Sequence, residues 1–289
     1  MNYTKIPLKH PASFHLFLLA MEPVSEVESS IKALARESII LTNIEIVPLR
    51  SLDMERFFEV LGMCNLTLAE QELTSRAQAV ISISSRIDDT SMFESFWLVR
   101  KAAYLIEQQL DSPCVVIDIE QGNTVSSSTL YLEDLSGIPL ARDYVTIKAY
   151  EGETANTYYI TSEGMVRFGV PEIALPEIPC NLGADGAYLI RTVAQYILTK
   201  LQHTRSRDDC IRINSELKIP ADYCEYNNPN FQGINETLAP IKLVVEESDY
   251  NRIMMIEPAS DYEEYYDWLM EIIESVNEKR TKAHWLEVN

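Results

Sequence analysis

The apolar positions of the first half fall into two rhythms. "SFHLFLLAM" (13–21), "IILTNIEIVPL" (39–49), "AQAVISIS" (77–84) and "PCVVIDIE" (113–120) are short apolar runs, and they read as strands. Between them stand three S/T-x-x-E capping boxes, Ser25…Glu28, Thr67…Glu70 and Ser91…Glu94. In such a box the hydroxyl accepts from the third helical amide and the Glu reaches back to the cap amide. From Ser91 to Leu110, the residues Phe96, Val99, Ala103, Ile106 and Leu110 recur at alternating steps of three and four, one face of a helix. The resulting order is β-α-β, a helical piece at about 51–75, then β-α-β again. That order predicts a ferredoxin-like split βαβ half with a helical insertion, its antiparallel sheet covered by helices on one face.

The second half is also α+β. "QGNTVSSSTLYLEDLSGIPLARD" (121–143) is polar and rich in turn residues, and places the boundary between a domain of residues 1–125 and another of 126–289. "YVTIKAYEGETANTYYIT" (144–161) alternates around Glu151-Gly152-Glu153 as a hairpin does. Ala187, Ile190, Ala194, Ile197 and Leu201 then mark a helix, and residues 203–240, with "CEYNNPNFQG", a long loop. "PIKLVVEE" (240–247) is a further strand. A last helix over 260–279 places Tyr262, Tyr265, Leu269, Ile272 and Val276 on its apolar stripe.

Between hairpin and helix lies "TSEGMVRFGVPEIALPEIP", Thr161 to Pro179. Gly164 and Gly169 around Arg167-Phe168 predict a tight corner with Phe168 plugging the core, and Pro171, Pro176 and Pro179 an extended edge segment. The corner either only builds the fold or also presents Arg167 and Glu172 to a partner. Its pattern resembles a T-x-G-L-x-R-F-G-x-P-E-(I/L) corner of bacterial proteins of unassigned function, and with the unit before it the resemblance covers about 75–200. Such proteins look like relatives of immunity or accessory proteins found beside bacterial toxins. This chain departs in inserting Ser162-Glu163 before Gly164 and in its acidic C-terminal helix. The resemblance carries no catalytic residues with it.

Charge changes the picture. With 24 Lys and Arg against 44 Asp and Glu, the formal net charge is −20, which repels phosphate backbones and anionic membrane surfaces. A protein with a basic surface is attracted instead. The five cysteines, Cys64, Cys114, Cys180, Cys210 and Cys224, show no C-x-x-C spacing, which argues for a reducing compartment. Lys5 and Lys9 before "FHLFLLAM" imitate a signal peptide, but the run is short, holds His15 and lacks a small-x-small cleavage site. It reads as a strand with His15 in the core, and the expected location is cytoplasmic.

Enzyme motifs are sparse. No phosphate loop, dinucleotide fingerprint, nucleophile elbow or H-E-x-x-H is present, and no cofactor is expected. Asp118 and Glu120, two apart on a strand, form a possible carboxylate pair. A second arrangement resembles metal-dependent nucleases: Asp208 and Asp209 before a short strand, then Glu216 and Lys218 after it. The C-terminal segment says more. From Val245 to Glu274 there are ten acids and one base, Arg252, interleaved with Tyr250, Tyr262, Tyr265, Tyr266 and Trp268. Glu264, Asp267, Glu271 and Glu274 share one helix face, with Tyr266 and Trp268 off the apolar stripe among them.

These features lead to one expectation. The chain is a non-enzymatic acidic inhibitor, a nucleic-acid mimic that binds and blocks a nuclease or toxin as an immunity protein or a phage-type anti-defence protein does. Glu264, Asp267, Glu271, Glu274, Tyr266 and Trp268, with Arg167 and Glu172, are its candidate contacts, and self-association into an oligomer is compatible with it. The alternative is a metal-dependent nuclease or hydrolase using Asp208, Asp209, Glu216 and Lys218.

Overall fold

A computed structural model describes residues 3–8, 14–34, 42–53, 57, 59, 61–62, 64, 66–85, 92–118, 122–125, 137–202, 204, 208–217, 219, 241–247, 252–258 and 264–273. The fold is mixed α+β. Its contacts divide it into two compact units, residues 11–137, and residues 1–10 together with 138–289. The division falls inside the polar stretch 121–143, at 137/138 rather than 125/126. Strand β1 (Tyr3–Pro7) belongs to the second unit because it pairs there with a later strand.

In the unit of residues 11–137, β2 (His15–Ala20), α1 (Val24–Leu34), β3 (Thr42–Pro48), α2 (Leu68–Arg76), β4 (Ala79–Ser85), α3 (Met92–Glu107), β5 (Val115–Asp118) and β6 (Asn123–Thr124) follow in order. The sheet runs β3-β4-β2-β5-β6 with every pair antiparallel. Helices α1 and α3 therefore each join two strands that have a third between them: β4 lies between β2 and β3, and β2 between β4 and β5. This is the split βαβ arrangement expected from the sequence. Register puts Leu18 opposite Ile81 and Val116, on the face where α1 and α3 pack.

The sheet is covered on both faces, not one. Leu19, Val80, Val115 and Ile117, on the face away from α1 and α3, join a core with Leu49, Leu61, Cys64 and Ala77, against which Phe57, Leu66 and Leu73 pack. The insertion between β3 and β4 thus forms a third layer. Strands such as "HLFLLA" and "VVID" carry apolar residues at successive positions, and a strand of that kind needs cover on both sides.

Of the three capping boxes, Thr67 is one: its amide donates to Glu70 Oε2 (2.7 Å) and Glu70's amide donates to Thr67 Oγ1 (3.3 Å). Ser25 is not, because α1 begins at Val24. There the amides of Glu26 and Val27 donate to the Pro23 carbonyl instead (3.0 and 3.2 Å). Ser91 lies outside the described residues. His15 is exposed rather than core, since it opens β2 at the rim opposite Ser84.

In the second unit, β7 (Thr146–Glu151) and β8 (Thr157–Glu163) form the expected hairpin, followed by β9 (Glu172–Pro179), α4 (Gly183–Leu201), β10 (Cys210–Asn214), β11 (Ile241–Glu247), β12 (Arg252–Pro258) and α5 (265–273). The sheet runs β11-β12-β9-β8-β7, with α4 against β8 and β9, and β1 pairs β10 separately. Strand β9 is central, not an edge. Its prolines are tolerated because β12 pairs it only over Glu172–Ala174, so Pro176 and Pro179 lie beyond that ladder. On the other side the β8–β9 register shifts between Tyr158 and Ile160, beside Glu177 at φ 53°.

Candidate functional site

The corner after β8 is built around one carboxylate. Gly164, at φ 122°, would place a Cβ 2.6 Å from the Tyr144 carbonyl oxygen, so no side chain fits there. The chain then makes a single 3-10 turn, Val166–Phe168, closed by Gly169 at φ 75°, a left-handed position that glycine adopts without strain. Met165 and Phe168 are fully buried beneath it, as the core plug requires. Glu172 reaches back across the turn. Its Oε1 accepts from the amides of Gly164 (2.8 Å) and Val166 (3.1 Å), and its Oε2 from the Met165 amide (3.2 Å) and the Ser162 hydroxyl (2.5 Å). Ser162 Oγ in turn accepts from the Ile173 amide (2.8 Å). A carboxylate in a nest of backbone donors is a structural clasp.

Two candidate contacts are therefore corrected. Glu172 is committed to the turn, and Arg167 is 5% exposed, drawn inward with the 3-10 turn it belongs to. The corner does not display them.

Helix α5 does the opposite with its charges. Glu264, Tyr266, Asp267 and Glu271 are exposed, while Trp268, Leu269, Ile272 and Ile273 are buried. Trp268, expected among the acids, is 0% exposed. The buried stripe is rotated toward Trp268 because the largest apolar surface takes the core position, its ring lying 5.3 Å from that of Tyr265. Glu274 and Tyr262 lie outside the described residues.

Tyr265 ties the helix down. Its hydroxyl donates to the Pro176 carbonyl (2.8 Å), on the stretch of β9 that β12 leaves unpaired. Burial pushes its phenol well above the usual range, and the carboxylates of Glu177 and Glu257 push it further. Sequence reasoning missed this contact. Its only trace was a proline two residues beyond a strand's last ladder partner. Glu177 is itself a clasp on the hairpin loop, accepting from the amides of Glu153 (2.9 Å) and Thr154 (3.2 Å) and from the Thr157 hydroxyl (2.9 Å).

The nuclease-like residues do not gather. Asp208 and Asp209 precede β10 and Glu216 follows it, so a five-residue strand, about 16 Å at 3.3 Å per residue, stands between them. Lys218 lies outside the described residues. Among the described residues no three His, Cys, Asp or Glu side chains converge as metal ligands do. Asp118 faces Arg100 in the core, Oδ2 to Nη1 3.8 Å, with both side chains buried, and Glu120 is outside the described residues. Cys64, Cys114, Cys180 and Cys210 are free thiols. Among the described residues, no helix is long and apolar enough to cross a membrane.

Neither the protein-family models, nor the curated proteins, nor the solved structures compared with this chain include a match.

Proposed function

We propose that the chain is a non-enzymatic inhibitor that uses the outward face of α5 to engage, and block, a basic surface on a protein acting on nucleic acid. The observation that carries the proposal is the division of labour on that helix. Trp268, Leu269, Ile272 and Ile273 fix it from below, and Glu264, Asp267, Glu271 and Tyr266 stand on its open side. Carboxylates held at helical spacing on a packed helix imitate spaced phosphates with little ordering cost on binding. An exposed Tyr among them, 54% accessible, supplies the aromatic surface that interfaces favour. The net charge of −20 steers a cationic partner toward it and disfavours direct nucleic-acid binding. The corner resembles one in bacterial proteins of unassigned function that look like relatives of immunity or accessory proteins beside toxins, which favours a toxin or defence nuclease as the target and action in the cytoplasm.

The test begins with capture of a partner from host lysate and its purification. The partner's nucleic-acid-cleaving or nucleic-acid-binding activity is then titrated with the protein. Association is expected to slow as salt rises, because screening shortens to about 10 Å at 0.1 M. A variant combining Glu264→Gln, Asp267→Asn, Glu271→Gln and Tyr266→Ala is expected to bind at least about tenfold more weakly and to lose inhibition. Undiminished affinity with the same salt dependence overturns the proposal. Cleavage of DNA or RNA by the pure protein with Mg²⁺ or Mn²⁺ also overturns it.

A further inference from the structure

In the unit of residues 11–137 a cleft of about 500 Å³ opens between the start of α1, residues 22–29, and the turn that follows α3, residues 109–111. Among the described residues its polar lining is Glu22, Glu26, Asp111, Ser25, Ser29 and Gln109. Ser29 donates its own proton to the Ser25 carbonyl (2.9 Å), which leaves its oxygen as an acceptor. Among the described residues no Lys, Arg or His lines the cleft, and carboxylates and hydroxyls predominate.

Glu22 makes the asymmetry concrete. The residue lines the cleft yet is only 8% exposed. Its Oε1 accepts from the Ser112 amide (2.6 Å), while its Oε2 has no hydrogen-bond partner among the described residues. Buried polar atoms are ordinarily satisfied, and an orphaned carboxylate oxygen calls for a donor. The neighbourhood is electronegative as well. The Cys114 thiol is pushed up to about 12 by burial and then by the carboxylates of Glu107 and Glu22. The sixteen-residue α3 also ends here, and a helix C-terminus carries partial negative charge. The N-terminus of α1 opposes that effect, but Glu26 in its first turn meets it.

Size and spacing choose the ligand. The carboxylates do not converge on one point as ligands of a metal ion do. They are spread around a cavity whose volume lies in the range of small-molecule sites, about 300–1,000 Å³. We propose that this cleft binds an organic cation, with Glu22, Glu26 and Asp111 contacting its ammonium or guanidinium groups. Such groups arrive either on a free polyamine or on a Lys or Arg side chain of another protein, and the chemistry is the same. The proposal does not depend on helix α5.

The test is an amide-shift titration of the full ¹⁵N-labelled chain with 1,4-diaminobutane, spermidine, arginine amide and capped lysine, each against sodium chloride at matched ionic strength. Saturable shifts of the Ser112 and Gln109 amides are expected with at least one of them. Glu22→Gln keeps an oxygen for the Ser112 amide while removing the charge, and is expected to weaken binding about tenfold. Glu26→Gln, at an exposed helix position, removes a charge without touching that hydrogen bond and is expected to weaken it about threefold. The second variant keeps the test decisive if the first melts early. Saturation by the diamine assigns a free polyamine, and saturation by arginine amide or capped lysine alone assigns a protein side chain. Absence of saturable shifts, shifts reproduced by sodium chloride, a response to Ca²⁺ but to no amine, or unchanged affinity in both variants overturns the proposal.

Discussion

Glu172 and Asp267 are both carboxylates, and the fold puts them to opposite uses. Glu172 is enclosed by the amides of Gly164, Met165 and Val166 and by the Ser162 hydroxyl. Asp267 stands exposed on α5, one residue from a fully buried Trp268. The difference comes from backbone. A corner with Gly164 at φ 122° turns consecutive amides toward one point, and an anion there holds the turn. A continuing helix projects its side chains outward from its own ladder of amides, and Glu264, Asp267 and Glu271 are exposed on it. At these two places the acid is structural where the chain bends and exposed where it runs straight.

The largest effect that can break this comparison belongs to Trp268. If α5 is anchored by its buried stripe, Trp268→Ala removes a 0% exposed indole and is expected to lower stability by about 3–5 kcal/mol in urea unfolding. A loss below about 1 kcal/mol would mean the helix is not held from that side.

The corner comes next. Glu172→Ala leaves three amides and a hydroxyl without their acceptor, and is expected to cost about 2–3 kcal/mol. Gly164→Ala meets both a φ of 122° and the Tyr144 carbonyl, and is expected to cost about 2 kcal/mol. Gly169→Ala, strained by φ 75° alone, is expected to cost about 1 kcal/mol. Glu172→Ala and Gly164→Ala act on one clasp, so their sum in the double variant is expected to fall short of additivity. Additive losses would show that carboxylate and turn are independent.

How far the sequence reached follows the same line between straight and bent chain. Helices such as α3 and α4 bury one face each, and their steps of three and four were readable, as was the strand-helix order that fixes β3-β4-β2-β5. The phase of α5 was not. Tyr262, Tyr265 and Leu269 fit one stripe as well as Trp268, Leu269 and Ile272 fit another, and only the surface α5 packs on decides between them. Glu172 gave no local sign of its role, because a clasp eight residues long depends on the geometry of Gly164 and not on periodicity. The third layer over Leu19 and Ile117 had a legible cue in strands apolar at successive positions, which the one-face expectation overlooked. Strand β1 is short and takes its place from its partner β10, whereas β12 carries a legible apolar run, Ile253–Ile256, that the sequence reading passed over.

Acid pH sharpens the contrast in a smaller way. Hydrogen bonds from Thr154 and Thr157, with the amide of Glu153, hold the Glu177 carboxyl below its usual value of 4.5. A depressed folded-state pKa means the carboxylate form is favoured in the fold. Its contribution is complete above pH 4.5 and is lost as pH falls through the lower folded value. Glu177→Gln is therefore expected to flatten the decline of melting temperature below pH 4.5. A decline as steep in the Glu177→Gln variant as in the parent would show that this carboxylate does not hold the hairpin loop.

The smallest expected effect is the most informative about α5. Replacing Glu264, Asp267 and Glu271 together by Gln, Asn and Gln removes three exposed acids from a chain of net charge −20. Two terms oppose each other. Relief of repulsion between like charges at helical spacing favours the variant by a few tenths of a kcal/mol. Loss of acids at the start of the helix disfavours it by about 0.3–1 kcal/mol, since Glu264 and Asp267 lie where the helix dipole is positive. The net change is expected to stay within about 0.5 kcal/mol in urea unfolding. A loss of about 2 kcal/mol or more would mean these acids clasp the fold as Glu172 does, and the contact face proposed for α5 would then be part of the scaffold. An unchanged fold with weakened partner binding is the result that separates the two regions by what they do as well as by where they sit.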